Sequence, residues 1–322
     1  MPSAQFEFGL LLHSRNMLGE DDRPACFDAL WEDAVIAEQM NFDQIWLGDS
    51  VCILNRARGD CLTTMAALAC KTNLIRIGTV PLIAALRNPV LLAHSLATLD
   101  VISRGRLSVA VSVAPTTEYN ERQFIACDVP FHQKAGRLTE SIVLMRRLWS
   151  EKSFEFSGKY YRFKEIGVLP KPIQKPGIPI WIAASDNDTA LKRVARLADG
   201  WVTIAHDLEV FNTRRRKIDA YAAEFGRQND VRGSLLFASL NLGKNGDAAK
   251  DEGWNWLERF FKRPRHEITQ QATIFGTAKE CAETLHRYVD AGLTGLIIRI
   301  ASSDEKTQMQ RIVQELKPVL SV

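Results

Sequence analysis

A closed (β/α)8 barrel is the fold class the sequence predicts, on three observations. Short apolar runs alternate with helix-periodic segments along the whole chain, eight such strands are each trailed by a helix, and 322 residues accommodate eight of these units with two excursions. An open doubly wound sheet is the runner-up. The 46% hydrophobic content suffices for one large core without staples.

Phe6 to Leu12 reads as the first strand, and Cys26 to Met40 as a helix with Phe27, Leu30, Trp31, Ala34, Ala37 and Met40 at helical spacing. Phe42 to Leu47 is the second strand, Thr63 to Lys71 a helix and Ile75 to Val80 the third strand. The pair Asn88-Pro89, cap then proline, opens a helix that runs to Ile102. Leu107 to Val113 is the fourth strand and Gly136 to Trp149 the next helix. The aromatic, Gly- and Pro-rich stretch Ser153 to Lys175 then reads as a hairpin and an extended crossing.

Ile178 to Ile182 is continuously apolar, the pattern of a fifth strand buried on both faces. Ser185, Asp186, Asn187 and Asp188 can cap the helix marked by Leu191, Val194, Ala195, Leu197 and Ala198, which Asp199-Gly200 stops before the sixth strand at Trp201, Val202 and Ile204. Leu208 to Phe225 is helical, Ser234 to Asn241 is strand seven, Cys281 to Ala291 is a helix, Gly295 to Ile300 is strand eight and Gln308 to Val319 is the last helix. Lys244 to Phe275, with Trp254, Trp256, Phe260 and Phe261, reads as a helical insertion suited to a pocket wall or a dimer contact. No repeat or linker interrupts this order. Residues 1–322 are therefore expected to form a single domain with insertions after strand four, at about 153–175, and before strand eight, at about 244–275.

A formal net charge of +3 with both signs interspersed argues against nucleic acid or an anionic membrane as the main partner. The clusters Arg214 to Lys217 and Lys262, Arg263 and Arg265 read as solvated helix faces. Six cysteines lack a CxxC pair and show no ligand-like spacing with the six histidines, so no metal site is expected and the thiols read as reduced. Neither a signal-like start nor a membrane-length apolar run is visible, and the expectation is a soluble, cytoplasmic protein.

In such a barrel ligands sit where strands end and helices begin. That rule selects His13 and Ser14, then Asp49, Ser50 and Cys52, then Thr79, Val80 and Pro81, then Ser112 to Tyr119, Ser185 to Asp188, His206 and Arg299. The helix start after strand five is free to hold an anion, although a polar turn also caps helices with no ligand at all.

Several segments in sequence order together resemble the luciferase-like flavin-dependent oxidoreductases, flavin monooxygenases and deazaflavin enzymes included. They are Ile77-Gly78-Thr79, Arg87-Asn88-Pro89, Leu96 to Asp100, Ser103-Arg104-Gly105-Arg106-Leu107 and Phe131 to Leu138. Leu148-Trp149, Gly158-Lys159-Tyr160-Tyr161, Pro170 to Gln174, Pro179 to Ile182 and Leu197 to Trp201 complete the set.

The resemblance implies a flavin at the strand ends, with Thr79, Val80, Ser112, Ala114, Tyr119, Ala184, Ser185, Asp186 and Asn187 as cofactor-binding candidates and the phosphate near the turn after strand five. It further implies a non-proline cis peptide near Thr79-Val80 and a homodimer. Relatives often carry glycines where this chain has Ala183-Ala184 and Ser112 to Pro115, and the luciferase branch has a His after strand two where this chain has Asp49-Ser50.

The catalytic candidates are Asp49, His13 and Arg299. Asp49 could accept a proton if burial raised its pKa, or cap the loop that follows. His13 could relay protons or pack as a hydrogen-bonded residue. Arg299, interrupting an apolar strand, could hold an anionic substrate group or form a structural ion pair. Cys52 reads more readily as a small buried hydrophobe than as a reactive thiol.

The expected activity is that of a two-component monooxygenase oxidising a small organic substrate with O2, its reduced FMN supplied by a separate NAD(P)H flavin reductase. A deazaflavin coenzyme moving hydride, suggested by Asp49, is the first alternative. A non-catalytic barrel that has lost the flavin, suggested by the missing glycines and histidine, is the second.

Overall fold

A computed structural model describes residues 6–12, 27–51, 58–185, 187–268 and 272–320. The strands are β1 (Glu7–Leu11), β2 (Gln44–Leu47), β3 (Arg76–Leu82), β4 (Leu107–Val111), β5 (Phe154–Ser157), β6 (Arg162–Ile166), β7 (Ile180–Ala183), β8 (Gly200–Thr203), β9 (Ser234–Leu242), β10 (Ala272–Gly276) and β11 (Gly295–Ile300). The principal helices are α1 (Asp28–Gln39), α2 (Cys61–Lys71), α3 (Pro89–Ile102), α4 (Glu118–Ala126), α5 (Lys134–Ser150), α6 (Asp188–Leu197), α7 (Leu208–Glu224), α8 (Gly246–Phe261), α9 (Ala278–Asp290) and α10 (Glu305–Arg311).

Among the described residues, one sheet runs β10-β9-β11-β1-β2-β3-β4-β7-β8, and β8 also pairs with β9. That last pairing closes eight strands on themselves and leaves β10 outside the ring, the topology of the expected (β/α)8 barrel. The chain divides into two compact units, one of 46–183 with 13–35 and the other of 184–322 with 1–12 and 36–45.

In the unit built around 46–183, β3 and β4 run parallel with Ile77 opposite Leu107 and Thr79 opposite Val109, and β4 pairs with β7 through Val109 opposite Ile180. The β3–β4 register shifts between Thr79 and Leu82. There the buried Thr79 hydroxyl accepts from Ala110 N at 3.1 Å and donates to Ala110 O at 3.0 Å, filling the gap in the ladder. α3 starts as its sequence demands: Asn88 Oδ1 accepts from Val90 N at 2.9 Å, and Pro89 stands where no amide donor is needed. The predicted hairpin is present as β5 and β6, paired antiparallel.

In the other unit, parallel ladders join β1 to β11, β11 to β9, β9 to β10 and β8 to β9. Arg299 sits opposite Ser239 and shares a face with Phe237. The opposite face carries Phe8, over whose ring Lys317 lies at 5.5 Å, so it packs on the short helix Lys317–Leu320.

Three expectations are corrected. The stretch 244–275 is not helical throughout: α8 ends at Phe261, and Ala272–Gly276 is β10, a short strand that contains Phe275, the expected end of the insertion. The stretch Ser112 to Tyr119, selected as following a strand end, closes in a helix: Glu118 and Tyr119 lie in the first turn of α4. That helix turns Asn120, Gln123 and Phe124 inward, so it shows no apolar periodicity. The cis peptide falls one residue later than expected, at Val80-Pro81, and is a proline bond.

Candidate active site

Asp49 follows β2, and its side chain is 2% exposed. Arg87, just before α3, reaches it with a fork: Nη1 donates to Oδ2 at 2.7 Å and Nη2 to Oδ1 at 2.9 Å. The Ile83 amide donates to Oδ2 at 3.1 Å. Both carboxylate oxygens are thus engaged, one of them also by the loop after β3 and not by the loop that follows Asp49 itself. Arg87 Nη2 also reaches Asp60 Oδ2 at 3.4 Å, at the N-cap of α2. Burial pushes the Asp60 carboxyl up, but the Thr63 amide and hydroxyl and then Arg87 pull it down further, leaving it below its ordinary value. Burial drives the neighbouring Cys61 thiol well up, so it is an inert packing residue.

The loops after β2 and β4 meet through α4. Ser50 Oγ hydrogen-bonds Tyr119 Oη and donates to Gln123 Oε1 at 3.0 Å, and Val51 N donates to the same oxygen at 2.8 Å. Gln123 Nε2 donates to Asn120 Oδ1 at 3.1 Å, and Asn120 Nδ2 to Pro115 O at 2.9 Å.

After β4, Ala114 has φ +64°, the left-handed conformation glycine prefers. Ser112 Oγ accepts from Ala114 N at 3.2 Å, while Lys134 Nζ donates to Ala114 O at 3.1 Å and Thr116 Oγ1 at 3.0 Å. Lys134 also lies 3.8 Å from the Phe131 ring centre, and burial lowers its pKa. The alanine therefore adopts a backbone shape that glycine takes more readily, held there by a lysine.

Of the predicted residues in this unit, Asp49, Ser112, Ala114 and Tyr119 are brought into these networks at strand ends. Val80 is buried, and the Thr79 hydroxyl is spent within the sheet. Arg87, Gln123 and Lys134 were missed as site residues. Arg87 was visible in the Arg87-Asn88-Pro89 motif, whereas Gln123 and Lys134 gave no signal beyond being polar residues near a strand end.

In the other unit, Ala184 O accepts from Trp201 Nε1 at 3.0 Å, and Ser185 is exposed. Asn187 caps α6, accepting from Ala190 N at 3.3 Å. Asp188 accepts from Lys217 Nζ at 2.8 Å, a bond that lowers its pKa and offsets an acid at the helix start. Arg299 is buried, with Nη1 3.5 Å from Ser239 Oγ and its guanidinium carbon 4.7, 5.2 and 5.3 Å from the Phe237, Phe260 and Phe261 ring centres. His206 pairs with Asp207 at 3.1 Å. His13, Cys52 and Asp186 lie outside the described residues. Among the described residues no group of His, Cys, Asp and Glu is arranged to hold a metal, and no helix is long and apolar enough to cross a membrane.

The segments that follow β2 and β4 bring together the Ser50 and Tyr119 hydroxyls, the Gln123 amide and the Lys134 ammonium group, a set of polar groups whose chemistry fits the polar edge of a flavin-type ring.

Known proteins agree with this architecture. A monooxygenase from Streptomyces bottropensis superposes with a TM-score of 0.82 at 20% identity, over 97% of this chain and 99% of that one. The F420-dependent glucose-6-phosphate dehydrogenase of Amycolatopsis mediterranei is 26% identical over 321 residues, covering 90% of this chain and 94% of that protein. The oxygenase component of the flavin-dependent trigonelline monooxygenase of Acinetobacter baylyi is 29% identical over 180 residues, 56% of this chain and 49% of that protein. The match to the first curated relatives spans only 56% of their length. The sequence profile of luciferase-like monooxygenases covers residues 6–263, four-fifths of the chain, and the protein belongs to that family.

Proposed function

We propose that this protein is the oxygenase of a two-component FMN-dependent monooxygenase, oxidising a small organic substrate with O2 and receiving reduced FMN from a separate NAD(P)H flavin reductase. The observation that carries this reading is the Asp49–Arg87 pair. Both Asp49 oxygens are committed to Arg87 and the Ile83 amide, so the side chain is tied into the protein's own framework rather than turned to a ligand. The name of the Acinetobacter relative, an oxygenase component, supports the separate reductase.

When bound, reduced FMN supplies the electrons that activate O2. Ser112, Ala114, Tyr119 and Val80 would line the ring, and the Thr79 position would contribute backbone only. Ser185 and the amides at the start of α6 would hold the phosphate, with Asn187 as the cap and Lys217 neutralising Asp188. Arg299, sheathed by three phenylalanine rings, would orient an anionic substrate group.

The match to glucose-6-phosphate dehydrogenases across 90% of the chain favours a second reading, hydride transfer on a deazaflavin coenzyme. Absorbance titration with reduced FMN and with the deazaflavin, followed by O2 uptake, decides. Tight FMN binding and O2 consumption with substrate support the first reading, and deazaflavin binding with no O2 uptake supports the second. Failure of both at millimolar concentration overturns both and leaves a non-catalytic binding barrel.

A further inference from the structure

A backbone amide donates and never accepts. The Val51 N–H lies 2.8 Å from one end of the Gln123 side-chain amide, so that end must be the carbonyl oxygen and the orientation of the group is fixed. The same oxygen is 3.0 Å from Ser50 Oγ. A carbonyl oxygen can only accept, so the single Ser50 proton is spent on Gln123. Ser50 Oγ is also hydrogen-bonded to Tyr119 Oη, and with the serine proton committed the phenol must be the donor there. Reversing Gln123 would set its NH2 against the Val51 amide and its oxygen against Asn120 Oδ1. Gln123 is fully buried, whereas Tyr119 is 43% exposed, so the wiring runs from a shielded amide to an accessible phenol. What Tyr119 has left to offer a ligand is an oxygen that accepts.

We propose that Gln123 is a positioning residue that fixes the proton direction of the Ser50–Tyr119 pair, and that Tyr119 is a specificity residue receiving a hydrogen bond from an N–H or O–H of the bound cofactor. The second half rests on the reading that the ends of β2 to β4 seat a flavin-type cofactor. Such a cofactor carries both kinds of donor, an imide N–H on the ring edge and hydroxyls on the side chain. An ionised phosphate mainly offers acceptors, so Tyr119 is matched to the ring or the side chain and not to the phosphate terminus.

FMN binding, followed by quenching of flavin fluorescence, tests this in the whole protein. Tyr119→Phe and Gln123→Met should each raise Kd about five- to tenfold, the worth of one hydrogen bond, and the double variant should be no weaker than the worse single. Gln123→Glu, which only when protonated keeps an acceptor facing Ser50 and Val51 and a donor facing Asn120 Oδ1, should recover affinity as pH is lowered. An unchanged Kd in Tyr119→Phe, or single effects that simply multiply, overturns the proposal. Lumiflavin, which lacks the side-chain hydroxyls, separates the two donors: an equal loss with lumiflavin assigns the imide, and a loss confined to FMN assigns a hydroxyl. The wiring has its own cofactor-free test in urea unfolding of Ser50→Ala, Gln123→Met and their combination. The combined loss should fall short of the product of the singles by about fivefold, and independence overturns the Gln123 half. A wild-type protein that does not bind FMN overturns the Tyr119 half together with the cofactor reading, while the unfolding cycle still decides the other.

Discussion

Arg87 holds Asp49 with both of its terminal nitrogens, at 2.7 and 2.9 Å, where the carboxylate is almost fully shielded from water. Such a pair is costly to break from one side, because the partner left behind is a buried, uncompensated charge. Arg87→Met should therefore lower unfolding stability by about 3–5 kcal/mol. Asp49→Leu combined with Arg87→Met should recover much of that loss. Urea denaturation of the three variants checks both statements, and a loss under about 1 kcal/mol in Arg87→Met would mean the pair is solvated in solution.

Ala114 at φ +64° gives a second prediction. Glycine removes the left-handed penalty of about 1 kcal/mol and returns a similar entropic cost, so Ala114→Gly should stay within about 1 kcal/mol of wild type. A β-branched side chain has no comfortable left-handed conformation, and Ala114→Val should cost about 2 kcal/mol or more. Lys134→Met removes the donor to Ala114 O and Thr116 Oγ1, and hydrogen exchange at 114–117 should then accelerate by about tenfold or more. Equal stability of the Gly and Val variants would show that this backbone is not left-handed.

The motifs that marked the family in sequence prove to be fasteners. Arg106, from Ser103-Arg104-Gly105-Arg106-Leu107, donates to the carbonyls of Ala69, Thr72, Ile75 and Ser103, with Arg104 and Gly105 both at positive φ. Gln174, ending Pro170 to Gln174, donates from N and Nε2 to the buried Asp100. Trp201 closes Leu197 to Trp201 by binding Ala184 O. Strands and helices were legible because apolar periodicity decides burial, and caps such as Asn88 declare helix starts. α4 was not, because it buries Asn120 and Gln123 in hydrogen bonds that no periodicity announces. For the same reason the site was legible only where a side chain ends a strand, as at Asp49. Its partners Arg87, Gln123 and Lys134 come from distant sequence positions and are joined only by folding.

Asp60 caps α2 through Thr63 N and sits below its ordinary pKa. A carboxyl depressed in the folded state adds stability that is fully present above the unfolded value, about 3.9, and is lost as pH falls through the folded value. Asp60→Asn keeps a capping oxygen but not the charge. It should be less stable than wild type at pH 6 and equal to it once pH drops below the depressed value. Asp60→Ala should lose about 1 kcal/mol more through the cap itself. Denaturation midpoints across pH 2–7 check this, and a gap that stays constant down to pH 2 would mean the charge contributes nothing.

Glu140, on α5, wraps its carboxylate in three successive amides of Gly158-Lys159-Tyr160-Tyr161, accepting from Lys159 N at 2.6 Å, Tyr160 N at 3.0 Å and Tyr161 N at 3.2 Å. A turn of backbone N–H groups around one anion is strong and local, so it pins the tip of the β5–β6 hairpin. The glycine is required by this approach, because a Cβ on Gly158 would stand 2.5 Å from Glu140 Oε2 and 2.6 Å from the Phe156 ring. Glu140→Ala should free the tip with little change in global unfolding, since the hairpin pairs only within itself. Limited proteolysis between β5 and β6 should speed up by about tenfold or more in Glu140→Ala, for a loss of local stability of about 1.5 kcal/mol or more. Gly158→Ala should show the same phenotype in weaker form, since the carboxylate can retreat a few tenths of an ångström. Unchanged cleavage in Glu140→Ala would show that the tip is held by β5–β6 pairing alone.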